Sequence, residues 1–247
     1  ADPNASMEIL LRGTNTLSAG QGPLVIIDGV SGADIRSINF QEVESIDVLK
    51  DGSAAAIYGT RGTNGVIIIT TKRAKAGKTS VEYDAQASVQ SVLSRAVPMT
   101  AEEFKYAIEN YKPALSSSLY GAQTDWFKEV TRTPFSHRHS LAVAGGSDAF
   151  SHRTTLNVEQ NQGLLKNNNA EKYLIKTNIH QNALQGWLSF DYNLSYGKRK
   201  YEGTRTGIFR QAFFHNPTEP VYDETDTEHG GYYTVSSMDY YNPVAML

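Results

Sequence analysis

Hydrophobic and polar residues alternate along much of the chain after residue 78. Five segments follow this pattern: Thr79–Val92, Phe135–Ala144, Phe150–Glu159, Tyr173–His180 and Leu188–Tyr196. Strict alternation puts apolar and polar side chains on opposite faces of a strand. The predicted apolar face holds Val81, Tyr83, Leu156, Val158, Ile175, Ile179, Phe190, Tyr192 and Leu194. The opposite face is rich in Asn, Gln, Ser and single charges, so the pattern predicts an antiparallel sheet.

The connections between these strands alternate in length. Gly145–Ser147 and Gln181–Gly186 are predicted to be tight turns, whereas Asn161–Glu171 and Glu202–Leu247 are long and polar or aromatic. In the connection before Phe135, Thr100–Tyr111 is predicted to be a helix, because Thr100 and Glu103 form a capping box. Long loops at one end and short turns at the other are typical of membrane barrels.

The first 76 residues have a different pattern, of short apolar runs separated by glycines. Met7–Arg12, Leu24–Asp28 and Val66–Thr71 are predicted strands, and the last is apolar enough to be buried on both faces. Val43–Lys50 is predicted to be a helical turn that runs into a strand. Ser53–Tyr58 is predicted to be a helical turn capped by Asp51. These elements predict a small α/β domain over residues 1–76, followed by a polar linker.

The sheet after residue 76 has two interpretations. One is a soluble antiparallel sheet with one hydrated face. The other is a transmembrane barrel, whose strands of about 9–11 residues alternate between lipid and lumen. The polar faces suit a water-filled lumen and the 14 tyrosines suit an aromatic girdle. No apolar run approaches the roughly 20 residues of a membrane helix.

The composition of the chain excludes several kinds of site and activity. The chain has no cysteine, which excludes thiolate catalysis, disulfides and cysteine-ligated zinc. Its net charge of −3 is spread evenly, so no basic block predicts nucleic acid as a partner. No catalytic grouping stands out, and neither a cofactor nor an enzymatic activity is predicted.

Three motifs suggest ligands, and each has a simpler interpretation. Gly59–Gly65 lacks the Gly-Lys-Ser/Thr of a phosphate loop, so its glycines are expected to serve tight turns. His137 and His139 could bind a metal, but Arg138 between them disfavours a cation. Asp223, Glu224, Asp226 and Glu228 lack the EF-hand order. A solvated acidic loop is preferred there, with calcium binding as the alternative.

Several stretches resemble the plug domain of SusC/RagA-type TonB-dependent outer-membrane transporters. The stretch that carries the resemblance most specifically is Leu49–Arg61 (LKDGSAAAIYGTR), supported by Pro23–Val30 and Gly59–Lys72. The matching plug positions are Asp28, Gly29, Lys50, Asp51, Tyr58, Gly59, Gly62, Asn64 and Gly65. The resemblance implies an α+β plug over residues 1–76. It also implies that residues 77–247 are the first, incomplete part of an antiparallel transmembrane β-barrel of about 22 strands.

The resemblance also implies a function. The expected activity is import of a large nutrient, an oligosaccharide or a peptide, across the bacterial outer membrane. The expected partners are a SusD-like surface lipoprotein, the TonB complex of the inner membrane, and outer-membrane lipid. Arg12 and Arg61 are implied to lock the plug to glutamates of the barrel wall. Alternatives are a TonB-dependent siderophore or cobalamin receptor and a secreted β-sandwich enzyme acting on polysaccharide.

Overall fold

The computed structural model describes residues 9, 11, 22–50, 57–73, 76–205, 207–225, 227–234 and 241–247. These residues form two separate sheets. The predicted strand Met7–Arg12, Asp51 and most of the predicted turn Ser53–Tyr58 lie outside the described residues. The predicted boundary at residue 76 falls between the two sheets.

The small sheet has four strands in the order β2-β1-β4-β3. They are β1 (Leu24–Ile27), β2 (Val30–Ser31), β3 (Val43–Leu49) and β4 (Val66–Thr71). Strand β4 runs parallel to β1 and antiparallel to β3, which places it in the centre. Val66 and Ile69 are fully buried and pack on opposite faces of the sheet. The prediction of a central strand buried on both sides is therefore confirmed.

Short 3-10 turns connect these strands. They cover Ile35–Ser37, Phe40–Glu42 and Gly59–Gly62. The helical turn predicted inside Val43–Lys50 is wrong, because β3 is extended over Val43–Leu49 and the turn comes just before it. Asn39 explains the position of that turn, since its side chain caps it by accepting a hydrogen bond from the Gln41 amide at 3.1 Å.

The large sheet is a five-stranded antiparallel meander in the order β5-β6-β7-β8-β9. Its strands are β5 (Gly77–Val89), β6 (Phe135–Gly146), β7 (Phe150–Gln162), β8 (Asn169–Ala183) and β9 (Leu188–Glu202). All five predicted strands are present, and most extend beyond the predicted ends. The loop predicted over Asn161–Glu171 is shorter, because β7 and β8 stay paired up to Gln162 and Asn169.

The two ends of the large sheet differ. Tight turns join β6 to β7 and β8 to β9 at one end, whereas residues 90–134 and the chain after β9 form long connections at the other. At the first turn, Gly146 has a φ of 141°, and a Cβ there would lie 2.2 Å from the Phe150 carbonyl oxygen. Only glycine fits this hairpin. The predicted alternation is confirmed for the two tight turns and for the long connection after β9, whereas the β7–β8 connection, residues 163–168, is shorter than predicted.

Within the described residues, three α-helices lie in the long connections. They are α1 (Ala101–Tyr111), α2 (Trp126–Val130) and α3 (Ile208–Phe214). Helix α1 begins with the predicted capping box between Thr100 and Glu103. Helices α2 and α3 share a hydrophobic cluster built from Trp126, Val130, Leu165, Ile208 and Ala212. No helix in the described part of the chain has the length and apolar character needed to cross a membrane.

Candidate functional site

The small sheet packs against one face of the large sheet, here called the inner face. The inner face consists of alternate residues of β5–β9, among them Asp84, Ser140, Arg153, Asn157 and Lys176. The small sheet contributes residues 28–42 and Thr71. Polar contacts dominate this interface, and it is the candidate site.

A buried ion pair joins Glu42 to Arg153 of β7. Arg153 Nε lies 3.0 Å from Glu42 Oε2, and Nη2 lies 3.1 Å from Oε1, so the guanidinium binds the carboxylate with two parallel hydrogen bonds. The side chains are only 5% and 8% exposed. Arg153 Nη2 also lies 2.9 Å from Glu82 of β5. Because the pair is shielded from water, removing one partner would leave an uncompensated buried charge.

A second buried contact joins Asp28 and Thr71 to Lys176 of β8. The Lys176 ammonium donates to the Asp28 carboxylate and to the Thr71 hydroxyl. Asp28 also accepts hydrogen bonds from the Thr71 amide at 2.9 Å and the Thr71 hydroxyl at 2.8 Å. Burial alone would raise the pKa of Asp28, but the hydrogen bonds from Lys176 and Thr71 outweigh it and hold the pKa below its ordinary value. The carboxylate is therefore fixed in its charged form.

The turn at residues 38–41 makes a third group of contacts. Lys172 Nζ donates to the Ile38 carbonyl at 2.9 Å, Asn39 donates to Asn157, and Gln41 donates to Asp84. Pairing is incomplete, because Thr155 Oγ1 and Asn157 Nδ2 are buried without a hydrogen-bond partner. Unpaired buried polar atoms lower the net stability of an interface. The contact is therefore specific in geometry, although not every buried polar atom in it has a hydrogen-bond partner.

The other face of the large sheet, the outer face, is apolar in the middle of the strands. Every residue predicted for the apolar face lies on it, from Val81 and Tyr83 to Leu194. The pair Leu141 and Leu156 and the pair Ile175 and Tyr196 lie opposite each other in the ladder and are exposed. Contiguous exposed apolar surface of this kind indicates an apolar environment.

Comparison with known proteins matches this arrangement. Residues 1–66 match the family model of the TonB-dependent Receptor Plug Domain. The chain is 32% identical to the TonB-dependent receptor SusC of Bacteroides thetaiotaomicron over 94% of its own length and 24% of that protein. It is 29% identical to the TonB-dependent receptor P3 of Formosa agariphila over 99% of its length and 25% of the relative. The structure of the RagAB peptide transporter superposes with a TM-score of 0.69 at 25% identity, over 81% of this chain and 27% of that one.

The chain belongs to the SusC/RagA-type TonB-dependent receptors. It spans about a quarter of the length of the curated relatives it matches. The small sheet is part of the plug, and the large sheet consists of strands of the barrel. Proteins of this family are outer-membrane transporters and not enzymes. The inner face is therefore the barrel's plug-facing wall, and the outer face is its lipid-facing wall.

The structure places the described plug-signature residues in three locations. Asp28 and Gly29 form the turn after β1, where Asp28 reaches the barrel, and Lys50 follows β3. Tyr58, Gly59, Gly62, Asn64 and Gly65 lie at or near the 3-10 turn before β4. Gly65 has a φ of 92°, and a Cβ there would lie 2.8 Å from Leu11 and 3.2 Å from the Leu49 carbonyl oxygen. This glycine lets three segments of the plug meet closely.

The two arginines predicted as locks have different outcomes. Arg12 lies outside the described residues. Arg61 is exposed in the 3-10 turn Gly59–Gly62, with Nη2 close to Gly32, and within the described residues it forms no ion pair. Its locking role stays a prediction. The arginine that does join plug and barrel within the described residues is Arg153, which lies on the barrel and not on the plug.

Sequence reasoning missed the plug-barrel contacts. Arg153 and Lys176 are single charges within alternating segments, and Glu42 is a single charge in the turn before β3. Nothing in their local pattern pairs residues more than 100 positions apart. A signal was available, since a charge on the lumen face of a strand needs a partner once a plug fills that lumen.

The two candidate metal-binding motifs lie in different parts of the chain. His137 and His139 lie on the outer face, where His139 Nδ1 is 2.7 Å from the Tyr83 hydroxyl. Asp226 of the acidic loop lies outside the described residues. Within the described part of the chain, no group of three or more His, Asp or Glu side chains is arranged to hold a metal ion.

A buried pair of polar side chains near helix α2 was not predicted. His215 Nε2 lies 3.0 Å from Glu219 Oε2, and both side chains are almost fully buried. The His215 ring meets Trp126 edge to face with centroids 4.3 Å apart, and Trp126 donates to the Asn216 carbonyl at 2.9 Å. Asn242 ties the last residues to this cluster by donating to Val221 at 2.9 Å. These contacts give the long connections a defined structure at one end of the barrel.

Proposed function

We propose that this chain supplies the plug and the first barrel strands of a receptor that imports a large nutrient through the outer membrane. The cargo is an oligosaccharide or a peptide, captured together with a SusD-like surface lipoprotein. The TonB complex supplies the energy by displacing or remodelling the plug. Similarity to SusC and to a RagAB peptide transporter supports this cargo range and this partner.

The observation that carries the proposal is the nature of the plug-barrel contact. The plug has its own apolar clusters, around Val66 and around Ile69, so it is a body with an internal core. Its contact with the barrel is polar and anchored by two buried charge contacts. An interface of this kind holds one arrangement at rest, yet exposes little apolar surface when the two bodies separate. A movable plug requires both properties.

The long connections are proposed to face outward and to meet the lipoprotein or the cargo. The regions concerned are residues 100–126 and 202–247. The cluster around Trp126, His215 and Asn242 would hold them in place, because it fixes both connections to one another.

Arg12 and Arg61 are proposed as further locks between plug and barrel. Both would pair with glutamates of the barrel wall outside the described residues. The planar guanidinium of arginine suits such a contact. The Arg153–Glu42 pair is an example with the roles reversed, because its arginine belongs to the barrel and its glutamate to the plug.

Uptake by cells tests the proposed function. Cells that express the full-length receptor are given labelled oligosaccharide and peptide pools, with the TonB complex intact or deleted and with the lipoprotein present or absent. The proposal predicts saturable uptake that needs both TonB and the lipoprotein, and copurification of the lipoprotein with the receptor. Uptake that is independent of TonB would overturn it.

A further inference from the structure

A row of charged residues crosses the inner wall of the barrel near its long-loop end. The ladder places Arg138 opposite Glu159, Glu159 opposite Lys172, and Lys172 opposite Arg199. Lys172 and Arg199 each lie three residues from the long-loop end of their strands. The row therefore lies at the end of the lumen through which, under the proposed function, cargo would enter.

The plug completes a cavity beside this row. The turn Ile35–Ser37 faces Lys172 and Arg199 across a cavity of about 330 Å³. That volume lies within the range of small-molecule sites, so the cavity can take part of a larger cargo. The charged residues that line it and belong to the plug or to the inner face are Asp34, Arg36, Lys172 and Arg199. The cavity thus has walls from both the plug and the barrel.

The cavity has an excess of positive charge. Asp34 is its single carboxylate and is engaged by Arg36, whose Nε lies 3.0 Å from both carboxylate oxygens. The hydrogen bond from Arg36 lowers the pKa of Asp34, and the nearby Arg199 contributes to the same shift. Glu159 lies beside Lys172 and accepts a hydrogen bond from Asn161 at 2.7 Å. Even counting Glu159, cations outnumber carboxylates around the cavity.

Two of these cations have donors left for a ligand. Lys172 uses one of its three N–H groups on the Ile38 carbonyl. Arg199 stacks over Tyr201, with its guanidinium carbon 5.8 Å from the ring centroid, and both side chains are exposed. A guanidinium next to an exposed aromatic ring can bind a carboxylate while the ring packs against the attached sugar or peptide group.

We propose that this cavity binds a carboxylate group of the cargo, with Arg199 and Lys172 as the recognising side chains. The inference rests on the proposed import function and narrows it to acidic cargo, either an oligosaccharide that contains uronic acid or an acidic peptide. Because the walls come from the plug and the barrel, displacement of the plug would separate Arg36 from Lys172 and Arg199.

Binding to matched pairs of ligands tests the proposal. The full-length receptor with its lipoprotein is titrated with tetragalacturonate and its methyl ester. A second titration uses a pentapeptide with two glutamates and the same peptide with two glutamines. The acidic member of at least one pair should bind about fivefold more tightly at low salt, and the preference should shrink in about 0.5 M salt. The ligand pair whose acidic member binds more tightly identifies the cargo as an acidic oligosaccharide or an acidic peptide.

Single substitutions locate the effect. Arg199→Gln should reduce the affinity for the acidic ligand to that of its neutral partner, and Lys172→Gln should act in the same direction. Lys200→Gln is the matched control, because this substitution also removes one positive charge, one residue away from Arg199 and on the opposite face of β9. On that face, Lys200 Nζ lies 3.8 Å from the Glu202 carboxylate. Unchanged affinity for the neutral ligand in Arg199→Gln shows that the barrel is intact.

Two results would overturn the inference. One is equal affinity for the acidic and neutral members of both pairs, and the other is an equal loss in Lys200→Gln and Arg199→Gln. The uptake assay separates this failure from a failure of the import function. If neutral cargo enters with TonB dependence and no preference for acid is seen, only the acidic site is rejected. If no cargo enters, both proposals are rejected.

Discussion

The inner and outer faces of the barrel sheet come from alternate residues of the same strands, yet their contacts differ in kind. On the outer face, Leu156, Ile175 and Leu194 meet a uniform apolar environment, and any apolar residue of suitable size satisfies it. On the inner face, Arg153 and Lys176 meet particular carboxylates of the plug. Each outer-face position thus requires only an apolar residue, whereas an inner-face charge requires one particular residue of the plug as its partner.

The strongest test of the inner face is removal of Arg153. Arg153→Met should weaken the attachment of the plug by about 3–5 kcal/mol, because Glu42 stays buried without its partner. Passive leakage of small solutes through the full-length receptor in liposomes should rise. Adding Glu42→Gln should restore much of the closure, since the uncompensated charge is then gone. Unchanged leakage in Arg153→Met would show that the pair does not hold the plug.

The matching test of the outer face is Leu194→Arg. Leu194 lies in the middle of β9 and faces outward, so the substitution should cost about 2–4 kcal/mol of unfolding free energy in lipid vesicles. Asn193→Arg adds the same side chain one residue away on the inner wall and should cost much less. Urea titration of both variants makes the measurement. Equal costs would mean that the assigned register of the strand is wrong.

The next test concerns pH and Asp28. The pKa of Asp28 is lower in the folded protein than in an unfolded chain. The anchoring that it provides is therefore complete at neutral pH and is lost as the pH falls through this lowered pKa. Leakage in the wild type should therefore rise more steeply with acid than in Asp28→Asn, whose residue cannot titrate. The effect should be smaller than for Arg153, because Asp28 also bonds to Thr71 of the plug itself. Identical acid profiles would exclude this role.

The smallest effect is expected for Arg61. Because the side chain is exposed, Arg61→Glu should loosen the plug by only about 1 kcal/mol or less. A modest rise in leakage, reversed when a barrel glutamate is changed to arginine, would support the predicted lock. If leakage and energised uptake both stay at the wild-type level, the lock is rejected.

The same contrast explains what could be predicted from the sequence. The outer face was predicted residue by residue, because alternation in a strand is a local property of the sequence. The central position of β4 followed from the apolar run Val66–Thr71 for the same reason. The partners of Asp28 and Glu42 could not be predicted, since they depend on how the plug is oriented in the barrel. The contact of His215 with Trp126 likewise joins two connections that are far apart in the sequence.

The central claim is that the plug must move away from the inner wall during import, and a reversible crosslink tests it most directly. Asn39 of the plug and Asn157 of β7 are hydrogen-bonded, and this chain contains no cysteine. The variant Asn39→Cys with Asn157→Cys is joined by a short cleavable thiol crosslinker in full-length receptor lacking other cysteines. Each single variant serves as a control. Crosslinking is expected to abolish energised uptake and to leave cargo binding intact, and reduction of the crosslink is expected to restore uptake. Uptake at the wild-type rate in fully crosslinked receptor would contradict it.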